Sequence, residues 1–222
     1  MYSSSSTPLL ESEITNKRIS MPHWDVSAAV IIAYLFGSLS SAIITCKLMG
    51  LPDPRTQGSG NPGTTNVLRI GGKKAAIITL IGDILKGVIP ILVAKLYGFD
   101  VRALALITFA AFIGHLYPVF FRFEGGKGVA TAAGCWLALA WPVGLALVFT
   151  WLLCAALFRY SSLSALTAAV LAPFYAWYFS NEDYTVLAIV MSIFLLLRHR
   201  RNIQNLWQGK EDKIGRKKLQ GR

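Results

Sequence analysis

Charge is what this sequence has least of. Of its 222 residues only 15% are Asp, Glu, Lys or Arg, where a soluble domain averages about 25%. Burying its apolar segments as ordinary core helices would need far more polar covering surface than the chain owns. Cysteine is scarce too. Cys46, Cys135 and Cys154 are an odd number, all inside apolar stretches, so they offer neither a disulfide framework nor a metal-ligand spacing. They read as small hydrophobes. The amino-terminal head is Ser-rich and polar, without the basic, apolar, small-residue succession of a signal peptide. Residues 1–25 are predicted to be disordered. A paired internal repeat is also missing, which argues against a transporter built from two related halves.

Apolar runs fill the rest. Residues 26–49, 75–97, 103–121, 129–158, 163–179 and 184–197 are almost free of charge. A bilayer core about 30 Å thick needs roughly 20 apolar residues per helix, so the chain is predicted to be an all-α, polytopic membrane protein. The run 129–158 would be about 45 Å long as one helix, and Trp141-Pro142 sits in its middle. Proline cannot donate a backbone hydrogen bond and disfavours helix in the residue before it, so the run is predicted to break there. Charge then sets the count. The tail from Arg198 to Arg222 carries nine Lys or Arg residues, and the connections 50–74 and 121–127 carry Arg55, Arg69, Lys73, Lys74, Arg122 and Lys127. Seven helices put all of these on one side and the acidic Glu182-Asp183 turn on the other, whereas six violate the positive-inside rule. The prediction is seven transmembrane helices over residues 26–198, amino terminus outside, followed by a basic cytoplasmic tail, 199–222. The net charge of +11 is accounted for by that topology and by anionic headgroups or substrates, with no call on nucleic acid.

The same topology gathers three polar stretches on one face. The first, 50–74, is rich in Gly, Pro, Asn and Ser, residues whose special backbone angles expose N–H groups able to cradle a phosphate. Ser59, Asn61, Thr65 and Asn66 add side-chain donors, and Arg69 adds a fork suited to phosphate or carboxylate. The second stretch, 114–131, holds His115, Gly125-Gly126-Lys127-Gly128 and Thr131, and its glycines open a helix whose amino end favours anions. It is not a Walker P-loop, because Phe121 stands where a glycine is required and Lys127 precedes Gly128 rather than Ser or Thr. The third stretch begins at Arg198. If the last helix continues, His199 and Asn202 share a face, while Arg200 and Arg201 read as membrane anchors. Ser161, in the short turn after Arg159, offers one more phosphate contact. Asp83 and Lys86 lie about 12 and 16 Å inside the second helix. Charges at that depth are paired or functional, and the spacing leaves open whether the two pair or Lys86 reaches a substrate phosphate.

These stretches resemble the bacterial acyl-phosphate:glycerol-3-phosphate acyltransferase family over about residues 26–213. The motifs that carry the likeness are Gly58 to Arg69, Gly125 to Thr131, and His199-x-x-Asn202-Ile203 with Glu211. Thr64 and Asn205 depart from the usual Ala and Arg. The resemblance implies transfer of an acyl group from acyl phosphate to glycerol 3-phosphate at the cytoplasmic face of the inner membrane, without metal, cofactor, coenzyme A or acyl carrier protein. It further implies that Ser59, Arg69, His199 and Asn202 are catalytic. The glycine loop, with Asn61, Thr65, Asn66, Lys86, His115, Thr131 and Ser161 around it, would hold substrate phosphate, and Asp83 and Glu211 would be structural. The residues agree independently. Two phosphorylated substrates need two anion sites, and an acyl phosphate is already activated, so no Ser-His-Asp nucleophile is required. The His-x4-Asp signature of another acyltransferase class is absent, since Ala28, Phe120 and Gln204 stand five residues after the three histidines. Two bases stay open, His199 and the donor's own phosphate, with the second preferred.

Overall fold

The structure, a computed structural model, describes residues 23–214 and is helical, with no strand among the described residues. Most of the head predicted to be disordered, and the tail beyond residue 214, lie outside that range. Among the described residues nine α-helices follow in order: α1 (His23–Gly37), α2 (Ser41–Leu48), α3 (Thr64–Leu96), α4 (Val101–Leu116), α5 (Val129–Leu139), α6 (Trp141–Phe158), α7 (Ser161–Phe179), α8 (Glu182–Arg198) and α9 (Arg200–Trp207). Helices α3, α6 and α7, and α4 with the short 3-10 turn after it, are long and apolar enough to cross a bilayer. The pair α1–α2, bent by 41°, makes a fifth such unit. The exterior carries large apolar side chains, with Leu48 82% and Leu96 87% exposed, as expected where lipid rather than water is the solvent. Between the helices sits a core that includes Trp136, Phe112, Ile91 and Ile107.

Small residues let the helices approach. A Cβ on Gly87 of α3 would overlap the Thr131 carbonyl of α5, and one on Gly134 of α5 would overlap the Ile84 carbonyl of α3. Gly37 of α1 and Gly114 of α4 meet the opposing backbones in the same way. In lipid, where apolar burial drives little association, such close backbone contact supplies the packing.

Three boundaries differ from the sequence expectation. The run 26–49 is broken at residues 38–40. The stretch 50–74 is not all loop, because α3 starts at Thr64 and carries Asn66 and Arg69 before a kink at Gly72, whose φ of 75° and ψ of −173° interrupt the helix. A glycine reaches that left-handed conformation at little cost, so the helix changes direction just before its apolar part begins. Third, the expected break at Trp141-Pro142 falls one residue earlier, at Ala140, with Pro142 in the first turn of α6, where its missing N–H is harmless. That leaves α5 only 11 residues long. One of its last carbonyls, that of Leu139, accepts from the Lys95 ammonium of α3 at 2.8 Å.

Candidate active site

The ends of α2, α4, α6 and α8 and the starts of α3, α5, α7 and α9 come together, and the loops between them are cross-linked. Arg55 in the first loop chelates Asp53 at 2.7 Å and reaches Glu124 in the second at 3.2 Å. Its hydrogen bonds hold the Asp53 carboxyl below the ordinary carboxylate range. Thr65 on α3 and Ser161 on α7 share a hydrogen bond of 3.2 Å. Ser162 and Asn202 both donate to Glu211, each at 2.7 Å. The tail then pairs with the turn before α7, Ile214 N–H donating to the Arg159 carbonyl at 2.7 Å.

Asn66 shapes the first loop. It sits in the first turn of α3, and its Oδ1 accepts the Ser59 N–H at 2.9 Å. Its Nδ2 donates to the carbonyls of Pro54 at 2.8 Å and Gln57 at 3.0 Å. The turn it ties passes through Gly58 and Gly60, at φ 61° and 70°. Buried and fully engaged, Asn66 has no side-chain donor left over for the phosphate contact the sequence suggested. It holds the exposed Ser59 in place instead.

The glycine loop is gripped from two sides. Arg198 Nη2 donates to the Gly125 carbonyl at 2.5 Å and Nε to the Gly126 carbonyl at 3.1 Å, while its guanidinium lies 5.4 Å from the Tyr117 ring centroid. On the other side the Gly126 N–H donates to the His115 carbonyl at 3.2 Å. Two non-glycine residues, Arg122 and Phe123, take left-handed backbone angles just upstream, a strained arrangement of the kind that clusters at functional sites. The loop delivers Lys127, whose ammonium donates to Asn202 Oδ1 at 2.6 Å. Burial pushes the Lys127 pKa down to about 8, and the charges of Arg69 and Arg198 push the same way against Glu211.

Arg69 faces the tail, 3.6 Å from Asp212. His199, 2% exposed, is the junction between α8 and α9. Because the helix breaks there, His199 and Asn202 do not line one continuous helix face. His199 Nδ1 lies 2.8 Å from the Leu195 carbonyl, so Nδ1 carries the proton and Nε2 keeps its lone pair. Burial lowers its pKa to about 4, with the cationic Lys127 and Arg198 adding to the effect. The ring is neutral at pH 7.

Of the expected phosphate ligands, Thr65, Ser161, Lys127 and the glycines meet at this end of the bundle. Gly125, Gly126 and Gly128 are buried, and a Cβ on Gly128 would overlap the Phe112 ring. Asn61 lies on the same loop as Ser59, half-buried. Thr131 is buried inside the first turn of α5 with no hydrogen-bond partner for its hydroxyl. Lys86 is engaged inside the bundle. Its ammonium donates to the Leu39 carbonyl at 2.9 Å and pairs with Asp83 at 2.9 Å, which resolves the sequence alternative in favour of internal pairing. Two participants, Arg198 and Asp212, are given no site role by sequence reasoning, and Ser162, in the turn expected to contact phosphate, bonds Glu211. Arg198 had a signal, a cation closing an apolar run, but membrane anchoring gives the same pattern.

Bundle and loops together define an integral membrane enzyme whose polar centre is assembled at one end of apolar helices. The family model for glycerol-3-phosphate acyltransferases matches residues 27–209. The glycerol-3-phosphate acyltransferase of Methylococcus capsulatus is 57% identical over 188 residues, covering 84% of this chain and 95% of the relative. That of Ralstonia nicotianae is 56% identical over 193 residues, covering 85% and 93%. Among solved structures, PlsY (YgiH), an integral membrane glycerol 3-phosphate acyltransferase in its glycerol 3-phosphate form, superposes with a TM-score of 0.81 at 40% identity, covering 86% of this chain and 96% of that one. The chain belongs to the glycerol-3-phosphate acyltransferase family, and it is an acyltransferase of phospholipid synthesis.

Proposed function

We propose that the protein transfers a fatty acyl group from acyl phosphate to the 1-hydroxyl of glycerol 3-phosphate, yielding 1-acylglycerol 3-phosphate and inorganic phosphate. The chain crosses the bacterial inner membrane seven times, with the amino terminus outside and the site facing the cytoplasm. The observation that carries this reading is the convergence of Lys127, Arg69 and Arg198 with the glycine loop at the end of the bundle that also bears the basic tail. Two phosphate groups need such a density of fixed donors and cations. Lys127, the Gly125–Gly128 backbone, Thr65, Ser161 and Asn61 hold phosphate. Ser59 and Arg69 orient the reacting groups, and Asn202 fixes the Lys127 ammonium.

In the reaction the glycerol hydroxyl oxygen attacks the acyl carbonyl carbon, and the carbon–oxygen bond to phosphate breaks. The hydroxyl proton passes to the departing phosphate, so the atoms balance without a covalent enzyme intermediate. His199 keeps a free lone pair on Nε2, but a group with a pKa of about 4 is a weak base at neutral pH. That favours the donor phosphate as proton acceptor and leaves His199 a neutral hydrogen-bonding role. Proximity and charge stabilisation supply the rate enhancement. An acyl phosphate needs only an anion cradle and a lipid-facing slot for its chain, so on this reading no thioester carrier takes part.

The test is reconstitution. Pure protein in lipid vesicles receives labelled glycerol 3-phosphate with acyl phosphate, acyl-coenzyme A or acyl carrier protein thioester. Product should form from acyl phosphate alone, with stoichiometric phosphate release. Robust transfer from acyl-coenzyme A without acyl phosphate would overturn the donor assignment.

A further inference from the structure

Three ionisable side chains lie together inside the bundle, beneath the loops: Asp83 at 2%, Lys86 at 4% and His115 at 6% exposure. Lys86 Nζ is 2.9 Å from Asp83 Oδ1, one turn away on α3, and His115 Nδ1 on α4 approaches the same oxygen at 3.6 Å. Such a group is expensive in a membrane interior, and an apolar set of the same volume is often as stable or more so. Stability alone therefore does not account for it.

Its connections suggest what does. At one end the Lys86 ammonium holds the Leu39 carbonyl, in the break between α1 and α2 where the helical ladder is interrupted. At the other end His115 is the floor of the glycine loop. Its carbonyl receives the Gly126 N–H, and its imidazole Nε2 lies so close to the Gly126 Cα that a Cβ there would overlap it. The turn from His115 to Gly126 is therefore seated on a ring whose other nitrogen faces Asp83. At 3.6 Å the carboxylate makes no hydrogen bond to Nδ1; it acts on the buried imidazole by charge and contact, and the position of that ring sets how closely Gly126 can lie over it.

We propose that Asp83 and Lys86 are positioning residues that act through His115 to set the height of the glycine loop, and with it the place of the Lys127 ammonium. The proposal rests on reading that loop as a phosphate cradle. None of the three side chains touches substrate; each shapes the surface on which a phosphate is received. The effect belongs to ground-state binding, so it appears in KM and Kd for the phosphate substrate more than in kcat.

A mutant cycle tests this. Asp83→Asn combined with Lys86→Met removes both charges at nearly constant volume and so leaves no unpaired ion behind. His115→Asn leaves the ion pair intact and keeps a donor near the Nδ1 position. Each variant, and the triple variant, is purified in detergent, checked for a monodisperse folded state, and measured for glycerol 3-phosphate Kd by calorimetry and for KM and kcat with acyl phosphate. The double variant should fold and show a Kd raised about fivefold or more with kcat within about threefold of the parent. His115→Asn should show a similar rise, and the triple variant should be no worse than His115→Asn, because effects through one residue do not add. A parental Kd in the double or the His115 variant, or a triple variant whose losses multiply, would overturn the proposal. So would a double variant that cannot fold, since the pair would then serve the whole bundle. Calorimetry needs no acyl donor. Wild-type protein that binds glycerol 3-phosphate but does not turn over acyl phosphate would refute the donor assignment and leave this cycle readable.

Discussion

Raising the pH through 8 should loosen the protein's hold on its phosphate substrate, and Lys127 gives the size of the effect. Its ammonium is brought by burial and by the neighbouring Arg69 and Arg198 to a pKa of about 8. At pH 7 about nine-tenths of the free sites carry the cation; at pH 9 about one-tenth do. If the anion binds only the protonated form, KM for glycerol 3-phosphate rises about tenfold between these values, roughly 1.4 kcal/mol. Two confounding titrations lie elsewhere. The substrate phosphate loses its second proton near about pH 6, and His199, at about 4, stays neutral throughout. Lys127→Arg is the control, because a guanidinium keeps its charge over this range. That variant should have a KM displaced from wild type but flat from about pH 7 to about pH 9.5, a range that brackets the wild-type break. Stability moves oppositely. The folded pKa lies below the ordinary 10.5, so the unfolded chain holds more protons between about 8 and 10.5. In that window the substrate-free protein gains stability from this group as pH rises. The assay is initial phosphate release across pH, with calorimetric binding of glycerol 3-phosphate as a donor-free check. A wild-type KM that stays constant from pH 7 to 9, or the same break in Lys127→Arg, would refute the assignment of Lys127 to the anion.

Two further outcomes test the rest of the arrangement. Gly126→Ala should raise KM for a phosphate substrate about tenfold or more, because the added Cβ meets the His115 imidazole and, at 3.1 Å, the Pro62 carbonyl. A fall in kcat at unchanged KM for both substrates would mean the loop is not a ground-state cradle. For topology, single cysteines at Ser59, Glu124 and Gly209 should react with an impermeant reagent only from the cytoplasmic side, and one at Glu182 only from outside. The native Cys46, Cys135 and Cys154 are buried and should give little background. Labelling of Glu182 from the same side as Ser59 would break the seven-span arrangement.

The helical plan was legible because a bilayer imposes a length and a polarity that single residues reveal. Trp141-Pro142 divides a run too long for one helix, and the chain does change direction there. What stayed hidden depended on partners distant in sequence. Gly37-Ser38 and Ser40 are a local signal for the bend in residues 26–49, but not for its partner, since the Leu39 carbonyl freed at the break is met by Lys86, 47 positions further on. That Lys95 from another helix would meet the Leu139 carbonyl at the end of α5 was hidden in the same way. The early start of α3 was missed for a related reason. Its first turns are polar and glycine-rich, as a loop would be, and they are helical because Asn66 is tied back into the preceding chain.

The site divides along the same line. Composition could identify loops rich in donors, since Gly, Asn and Ser announce their backbone chemistry wherever they stand. It could not say which donors face a substrate and which face the protein. Asn66 and Lys127 look equivalent in sequence, each a polar residue in a glycine-rich stretch. One is consumed by three backbone contacts, while the other makes a single contact to Asn202 and stands in the field of two arginines. Arg198 shows the converse. A cation ending an apolar run, it stands beside Arg200 and Arg201 with nothing in sequence to set it apart, yet its fork closes on the carbonyls of Gly125 and Gly126, turning that peptide edge toward the protein and leaving positive charge around Lys127. A lysine at position 198 could neutralise a headgroup as well as arginine does, but one ammonium has no planar fork with which to hold two successive carbonyls. The choice of arginine there is thus a statement about loop geometry rather than about the membrane.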